Sequence, residues 1–214
     1  MRIKNDVFVY AEGGGKGNDS SASQAEFRQA FAAFFSKTIL GTTRRPRVVT
    51  CGGRDQAFAM FTTAIAQGKN ALLLVDGEDN VAPAHEPPPA GNWQPWAHLL
   101  VRDGWQKPVR AKDDDCHLMA PCMESWFLAD WIAVRAFFGQ GFNAAPLPRG
   151  PIEAVTKQDV YAALKQASKD CKTKAVYGKG AHSFKLLSLI DAASVMAASP
   201  WAARLVQELG KRKP

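Results

Sequence analysis

Residues 7–19 read VFVYAEGGGKGND. The near-continuous apolar run Val7–Ala11 stops at one carboxylate, Glu12, and then breaks into glycines 13, 14, 15 and 17 around Lys16. An apolar run without alternation is what a strand buried on both faces of a parallel sheet requires, because helices cover both of its sides. The glycines do not form a phosphate loop. The pattern G-x-x-x-x-G-K-[ST] needs a hydroxyl directly after the lysine, and Gly17 stands there. The dinucleotide fingerprint G-x-G-x-x-G fails too, since Asn18 occupies its last glycine position. Lys16 is then an exposed loop lysine or a phosphate contact, and Glu12 becomes the residue of interest.

Outward from this stretch the chain alternates. Ser23–Glu26 reads as a capping box, with Phe27, Phe31, Phe34 and Phe35 on one helical face behind it and an end near Leu40–Gly41. Arg47–Cys51 reads as a second strand, and Ala57, Phe58, Phe61 and Ile65 as a helix closed by Gly68. Ala71–Val75 is a third apolar strand ending at Asp76. Strand, helix, strand, helix, strand argues for an α/β fold with a mostly parallel, Rossmann-like sheet flanked by helices. The Pro-rich stretch 81–97 reads as an exposed, mobile excursion near the acidic edge, bordered by solvent-facing His85 and His98, with a short helix around Trp96–Leu100 after it. His117–Met123 predicts a fourth strand, and Glu124–Phe138 one apolar helix with Trp126, Leu128 and Trp131 in the core. Residues 143–151, with three prolines, mark a linker between an α/β domain, 1–142, and a helical extension, 143–214, packed on it. In that helical C-terminal third, helices are predicted from Thr156 to about Lys169, over Phe184–Met196 and over Trp201–Leu209.

The composition excludes some classes. No apolar run is long enough to span a bilayer and no basic-then-apolar leader opens the chain, so a cytoplasmic protein is expected, with no membrane partner. Cys51, Cys116, Cys122 and Cys171 form no C-x-x-C pair and read as reduced thiols, Cys116 and Cys122 as buried ones flanking a strand. Cys116-His117 with Cys122 lacks a fourth zinc ligand. The net charge of +7 favours a polyanionic partner, although part of the excess sits in the tail Lys211-Arg212-Lys213, read as a solvated end.

In open α/β sheets, ligands bind beyond the carboxyl ends of the strands. Glu12 follows the first strand, Asp76, Glu78 and Asp79 share the VDGED turn after the third, and Glu124 follows the fourth. So many like charges on one edge repel each other unless a cation holds them, and hard carboxylate oxygens suit Mg²⁺ or Mn²⁺. Each acid has a plainer reading as a turn former or helix cap, and Asp130 reads as a structural acceptor. Arg54 opens a helix, where a cation is disfavoured, which points to an anionic partner: a phosphate or one of the acids.

VFVYAEGGG followed by ALLLVDGED resembles the Toprim domain of topoisomerases, primases and overcoming-lysogenization-defect nucleases. That family carries a glutamate after its first strand and Asp-x-Asp after a later one; here Glu78 stands in the second position of the pair, one methylene longer. With CGGR at Cys51–Arg54 and ESWFLAD at Glu124–Asp130, most of the chain is similar to small bacterial Toprim-like proteins. The resemblance implies a Mg²⁺- or Mn²⁺-dependent nuclease acting on DNA or RNA. Asp76 and Glu78 would hold a metal, Asp79 or Glu124 would help with a second, and Glu12 would serve as ligand or general acid/base. Lys179 would stabilise transition-state charge, while Lys16, Arg54 and Lys185 would hold the phosphate backbone. It also implies an ABC-type ATPase partner in a phage-defence gene pair, and leaves oligomerisation open. Two other readings remain: a non-catalytic Toprim-fold protein-binding subunit, and a phosphotransfer or nucleotide-hydrolysing enzyme on the same metal site.

Overall fold

A computed structural model describes residues 6–14, 20–41, 45–87 and 92–212. Its centre is a parallel sheet of β1 (Phe8–Ala11), β2 (Arg47–Thr50), β3 (Ala71–Asp76) and β4 (Cys116–Met119), in the order β2-β1-β3-β4. β1 pairs with both β2 and β3, Val9 lying opposite Val48 on one side and Leu72 on the other. β3 is buried along its whole length, as its apolar run requires. The first connection leaves β1 on one side and β3 returns on the other, so the crevice between the ends of β1 and β3 is the topological switch point of the sheet.

Period-two alternation divides the core. Val9, Leu72, Leu74 and Met119 face α1 (Ser20–Ser36), while Tyr10, Leu73, Val75 and Leu118 face α2 (Arg54–Ala66) and α3 (Pro95–Asp103). On the α1 side, Phe27, Phe31, Phe34 and Phe35 pack against α4 (Trp126–Ala129), α6 (Lys157–Ser168), α7 (Lys179–Leu189) and α8 (Ala192–Ala198). α9 (Pro200–Lys211) lies along β4, where Arg204 donates to the Cys116 carbonyl at 2.7 Å. The α/β class, the parallel sheet and the helical C-terminal region agree with the expectation. No helix among the described residues is long and apolar enough to cross a membrane.

Local chemistry moved several boundaries. α1 begins by Ser20, so Ser23–Glu26 lies inside the helix, and it ends at Ser36, where the Ser36 and Thr38 hydroxyls donate back to the Ala33 and Phe35 carbonyls. β4 stops at Met119 rather than running to Met123. The helix expected over 124–138 breaks at Asp130, whose carboxylate accepts from Ala133 N and Asp191 N and so starts α5 (Trp131–Phe138) afresh. That break corrects the placement of Trp131: it is 39% exposed, whereas Trp126 and Leu128 are buried. Asp191 likewise splits the helix expected over 184–196 by capping α8 through Ser194 N at 2.8 Å.

The Pro-rich excursion is anchored on its described residues, because Trp201 Nε1 donates to Glu86 at 2.8 Å and Gln94 N to the His85 carbonyl at 3.0 Å. The solvent-facing placement of its histidines is corrected. His98 is buried and donates from Nε2 to the Gly77 carbonyl at 2.9 Å, since α3 folds back on the acidic turn, and His85 is half-buried.

The tail is corrected as well. Arg212 donates to Asp115 at 2.6 Å, to the Asp114 carbonyl at 2.9 Å and to Asn70 at 3.1 Å, pinning the end of α9 to the start of β4; Lys213 lies outside the described residues. Arg212→Ala takes the guanidinium from the buried Asp115 carboxylate, which keeps only the 2.7 Å hydrogen bond from Lys112 N among those described, and is expected to lower stability by about 2 kcal/mol in urea melts. Lys211→Ala removes an exposed lysine from Glu208, which keeps its ion pair with Arg212, and is expected to change stability by less than about 0.5 kcal/mol.

Candidate functional site

The site is built at the switch point. After β1, Glu12 N donates to the Leu74 carbonyl at 3.0 Å, and Gly13 exchanges two 2.9 Å backbone hydrogen bonds with Gly52. Gly13 has φ +131°, and a Cβ there would meet the Phe27 ring at 2.4 Å, so only glycine makes this approach. The exchange joins the loops after β1 and β2, and CGGR is the second of those loops. Cys51 is buried under it, Gly53 caps α2, and Arg54 reaches back into the site.

The VDGED turn is pinned from the other side. Gly77 N donates to the Met119 carbonyl at 2.8 Å and Glu78 N to the Pro121 carbonyl at 2.6 Å. Glu78 adopts φ +68°, a left-handed conformation that costs a non-glycine residue about 1 kcal/mol. Glu12, Asp76 and Glu78 each offer an oxygen, and these atoms all lie within 4.8 Å of one another.

The protein supplies cations of its own to this group. Lys157 Nζ donates to Asp76 Oδ2 at 3.1 Å and to Glu78 Oε1 at 2.5 Å. Arg54 donates to Glu12 Oε2 at 3.4 Å and to the Asp76 carbonyl, while its other nitrogens grip Asp103 at 2.9 and 2.6 Å. Arg102 lies 3.7 Å from Glu78 and 3.5 Å from Asp79, and Lys179 lies 3.9 Å from Asp76. The anionic partner expected for Arg54 is thus a pair of acids, Glu12 and Asp103.

Burial first, then the charge of Asp76, pushes the Glu12 carboxyl up to about 6 despite Arg54. Burial works against ionised Glu78 too, but the hydrogen bond and charge of Lys157 outweigh it and hold that carboxyl below its ordinary range. Lys157 is held in its ammonium form: burial opposes the charge, and Asp76 and Glu78 override it.

Glu124 stands apart from the three. It is fully buried and caged by hydroxyls, accepting from Tyr161 at 2.9 Å, Ser183 at 3.0 Å and Tyr177 at 3.4 Å. Burial, followed by the Asp76 charge, raises its pKa. Glu124, Glu12, Asp76 and Lys179 line one cavity of about 290 Å³, with Phe27, Met119, Met123 and Phe184 as its apolar wall. Lys179 is the first residue of α7, and its side chain is exposed. Lys185 is exposed further along α7 and does not line the cavity. Asp79 is 78% exposed and lies outside the group of three. Lys16 lies outside the described residues.

Residues 19–210 match the model of the family described as Domain of unknown function, DUF4276. The chain is a member of that family. No curated protein and no solved structure matches it. The DUF4276 match begins beyond Glu12 and covers Asp76, Glu78, Lys157 and Glu124.

Sequence reasoning missed Lys157, Arg102, Asp103 and the Tyr161–Tyr177–Ser183 cage. For Lys157 a signal existed. Thr156 caps α6 by accepting from Asp159 N, which puts Lys157 at the first helical position, the same disfavoured place for a cation that drew attention to Arg54. For the others, nothing local distinguishes them from surface residues.

The raised Glu12 pKa fixes a pH dependence. Below pH 4.5 the folded and unfolded chains both hold the proton; between 4.5 and about 6 only the folded chain does, so its stability falls as pH rises through that window. Glu12→Gln stays neutral and escapes the fall. Its stability relative to wild type is expected to improve by on the order of 1–2 kcal/mol between pH 4 and pH 7 in urea melts.

Proposed function

We propose that this DUF4276 protein is a Toprim-like, Mg²⁺- or Mn²⁺-dependent nuclease that hydrolyses phosphodiester bonds in DNA or RNA. One observation carries the reading: Glu12, Asp76 and Glu78 converge at the switch point between β1 and β3, where α/β sheets bind ligands. The fit to a divalent cation rests on donor chemistry. Three carboxylate oxygens within 4.8 Å are a hard, anionic set of the kind that holds Mg²⁺ beside a substrate phosphate. Asp76, Glu78 and Glu12 would hold the ion, which when bound supplies an activated water and stabilises charge on the phosphoryl oxygens.

The remaining roles belong to the chain's own groups. If Glu12 does not ligate the ion, its carboxylate is placed to serve as the general acid/base, and Arg54 fixes the direction of that carboxylate. Lys179, exposed at the rim beside Asp76, meets the phosphate. The excess of basic residues supports a polyanionic substrate. An ABC-type ATPase partner and a phage-defence setting belong to the same proposal and rest on the Toprim resemblance; the cytoplasmic location expected from the sequence is part of the proposal too.

A second reading, a Toprim-fold subunit that binds protein without catalysis, is favoured by the ammonium of Lys157 between Asp76 and Glu78, which balances the acids without a metal. The deciding experiment is incubation with single- and double-stranded DNA and RNA, with Mn²⁺ or chelator, and with or without the neighbouring gene product. Cleavage is expected only with metal, and Asp76→Asn is expected to slow it by about three orders of magnitude. Intact substrates under every condition would favour the second reading.

A further inference from the structure

Lys157 donates to two of the three converging carboxylates, yet the proposed chemistry gives it no task. Its side chain is 19% exposed, and it starts α6, where the helix dipole disfavours a positive charge. What holds it there is the pair of carboxylates. Its two acceptors, Asp76 Oδ2 and Glu78 Oε1, belong to two of the three residues that converge at the switch point. Arg54 differs in kind. Its rigid fork is committed to Asp103 and it touches the group only at Glu12 and the Asp76 carbonyl. Lys157 carries a compact charge on a four-carbon stem that is able to swing aside.

We infer that Lys157 is the resident counter-ion of this carboxylate group and competes with the divalent cation for it. The inference rests on the metal-site reading above. A divalent ion drawing on Asp76 Oδ2 and Glu78 Oε1 would lie beside the ammonium, and two cations at that range repel strongly in a partly buried site. Entry of the ion therefore requires the ammonium to leave. The folded protein then binds metal with an apparent affinity reduced by the fraction of molecules in which Lys157 is displaced. The same ammonium keeps the acids compatible with folding when no metal is bound, in place of the mutual repulsion their sequence positions suggest.

Calorimetric titration of the full chain with Mn²⁺, without substrate, tests this. Lys157→Met and Lys157→Gln remove the competing charge and are expected to bind Mn²⁺ at least about tenfold more tightly than wild type. Lys157→Arg keeps the charge, and Lys179→Met removes an exposed lysine 3.9 Å from Asp76; both are expected to stay within about threefold of wild type. Thermal melts supply a second readout. In chelator Lys157→Met is expected to melt below wild type, and Mn²⁺ to raise its melting temperature by more than it raises that of wild type. Lys157→Gln, which keeps a hydrogen-bond donor, serves if the methionine variant does not fold. Wild-type binding with equal or weaker binding by both neutral variants overturns the inference and leaves the metal site standing. No binding by any of the five proteins overturns both.

Discussion

A carboxylate placed out of water must be compensated, and much of this molecule compensates Asp76. The residue ends a strand buried along its length, and its own side chain is 6% exposed. One oxygen accepts from Met123 N at 2.9 Å, which fixes the chain just beyond β4, and the other accepts from Lys157, which fixes the start of α6. Burial raises the pKa of Glu12 and of Glu124, and the same charge adds to the rise in both. A buried ion pair of this kind adds little stability over an apolar substitute, but a buried carboxylate left without a counter-charge is costly, so Lys157 stays on Asp76 until another cation takes its place. The C-terminal helices are thereby tied to the sheet end through polar contacts as well as through the shared apolar core.

Glu124 presents the same problem with a different solution. Among the described residues no lysine or arginine lies at hydrogen-bonding distance from it; three hydroxyls from α6, α7 and the turn between them donate to it. ESWFLAD thus holds two structural acceptors, Glu124 gathering the helices around it and Asp130 restarting the next one. Between them Trp126 stacks on Phe34 with ring centres 5.1 Å apart, so the motif joins α1 to the C-terminal helices.

The strands and the acids at their ends were legible because both are local. Ala71–Val75 has no polar residue to place on a solvated face, and Asp76 is where the apolar run must stop. Helix ends were less legible. At 124–138 and 184–196 the apolar pattern continues across Asp130 and Asp191, and what breaks each helix is a carboxylate that accepts a backbone N–H as a cap. The residues that neutralise the acids were the least legible. Lys157 and Arg102 lie 81 and 26 positions from Asp76 in numbering, and only the packing of α6 and α3 against the turn brings them in. Arg212 shows the same limit: a basic tail and a clamp on a buried aspartate read alike in sequence.

The position of α9 along β4 has a consequence for how this sheet meets other chains. An edge strand normally offers a row of free backbone groups on which a foreign strand is able to dock. Here Arg204, its guanidinium stacked near Trp93 and Trp201, takes the Cys116 carbonyl, while the helix it belongs to lies over that flank. Growth of the sheet by strand addition at β4 would require a whole helix and its buried cation to be stripped away first. The flank is closed to the edge-to-edge pairing through which α/β proteins commonly aggregate.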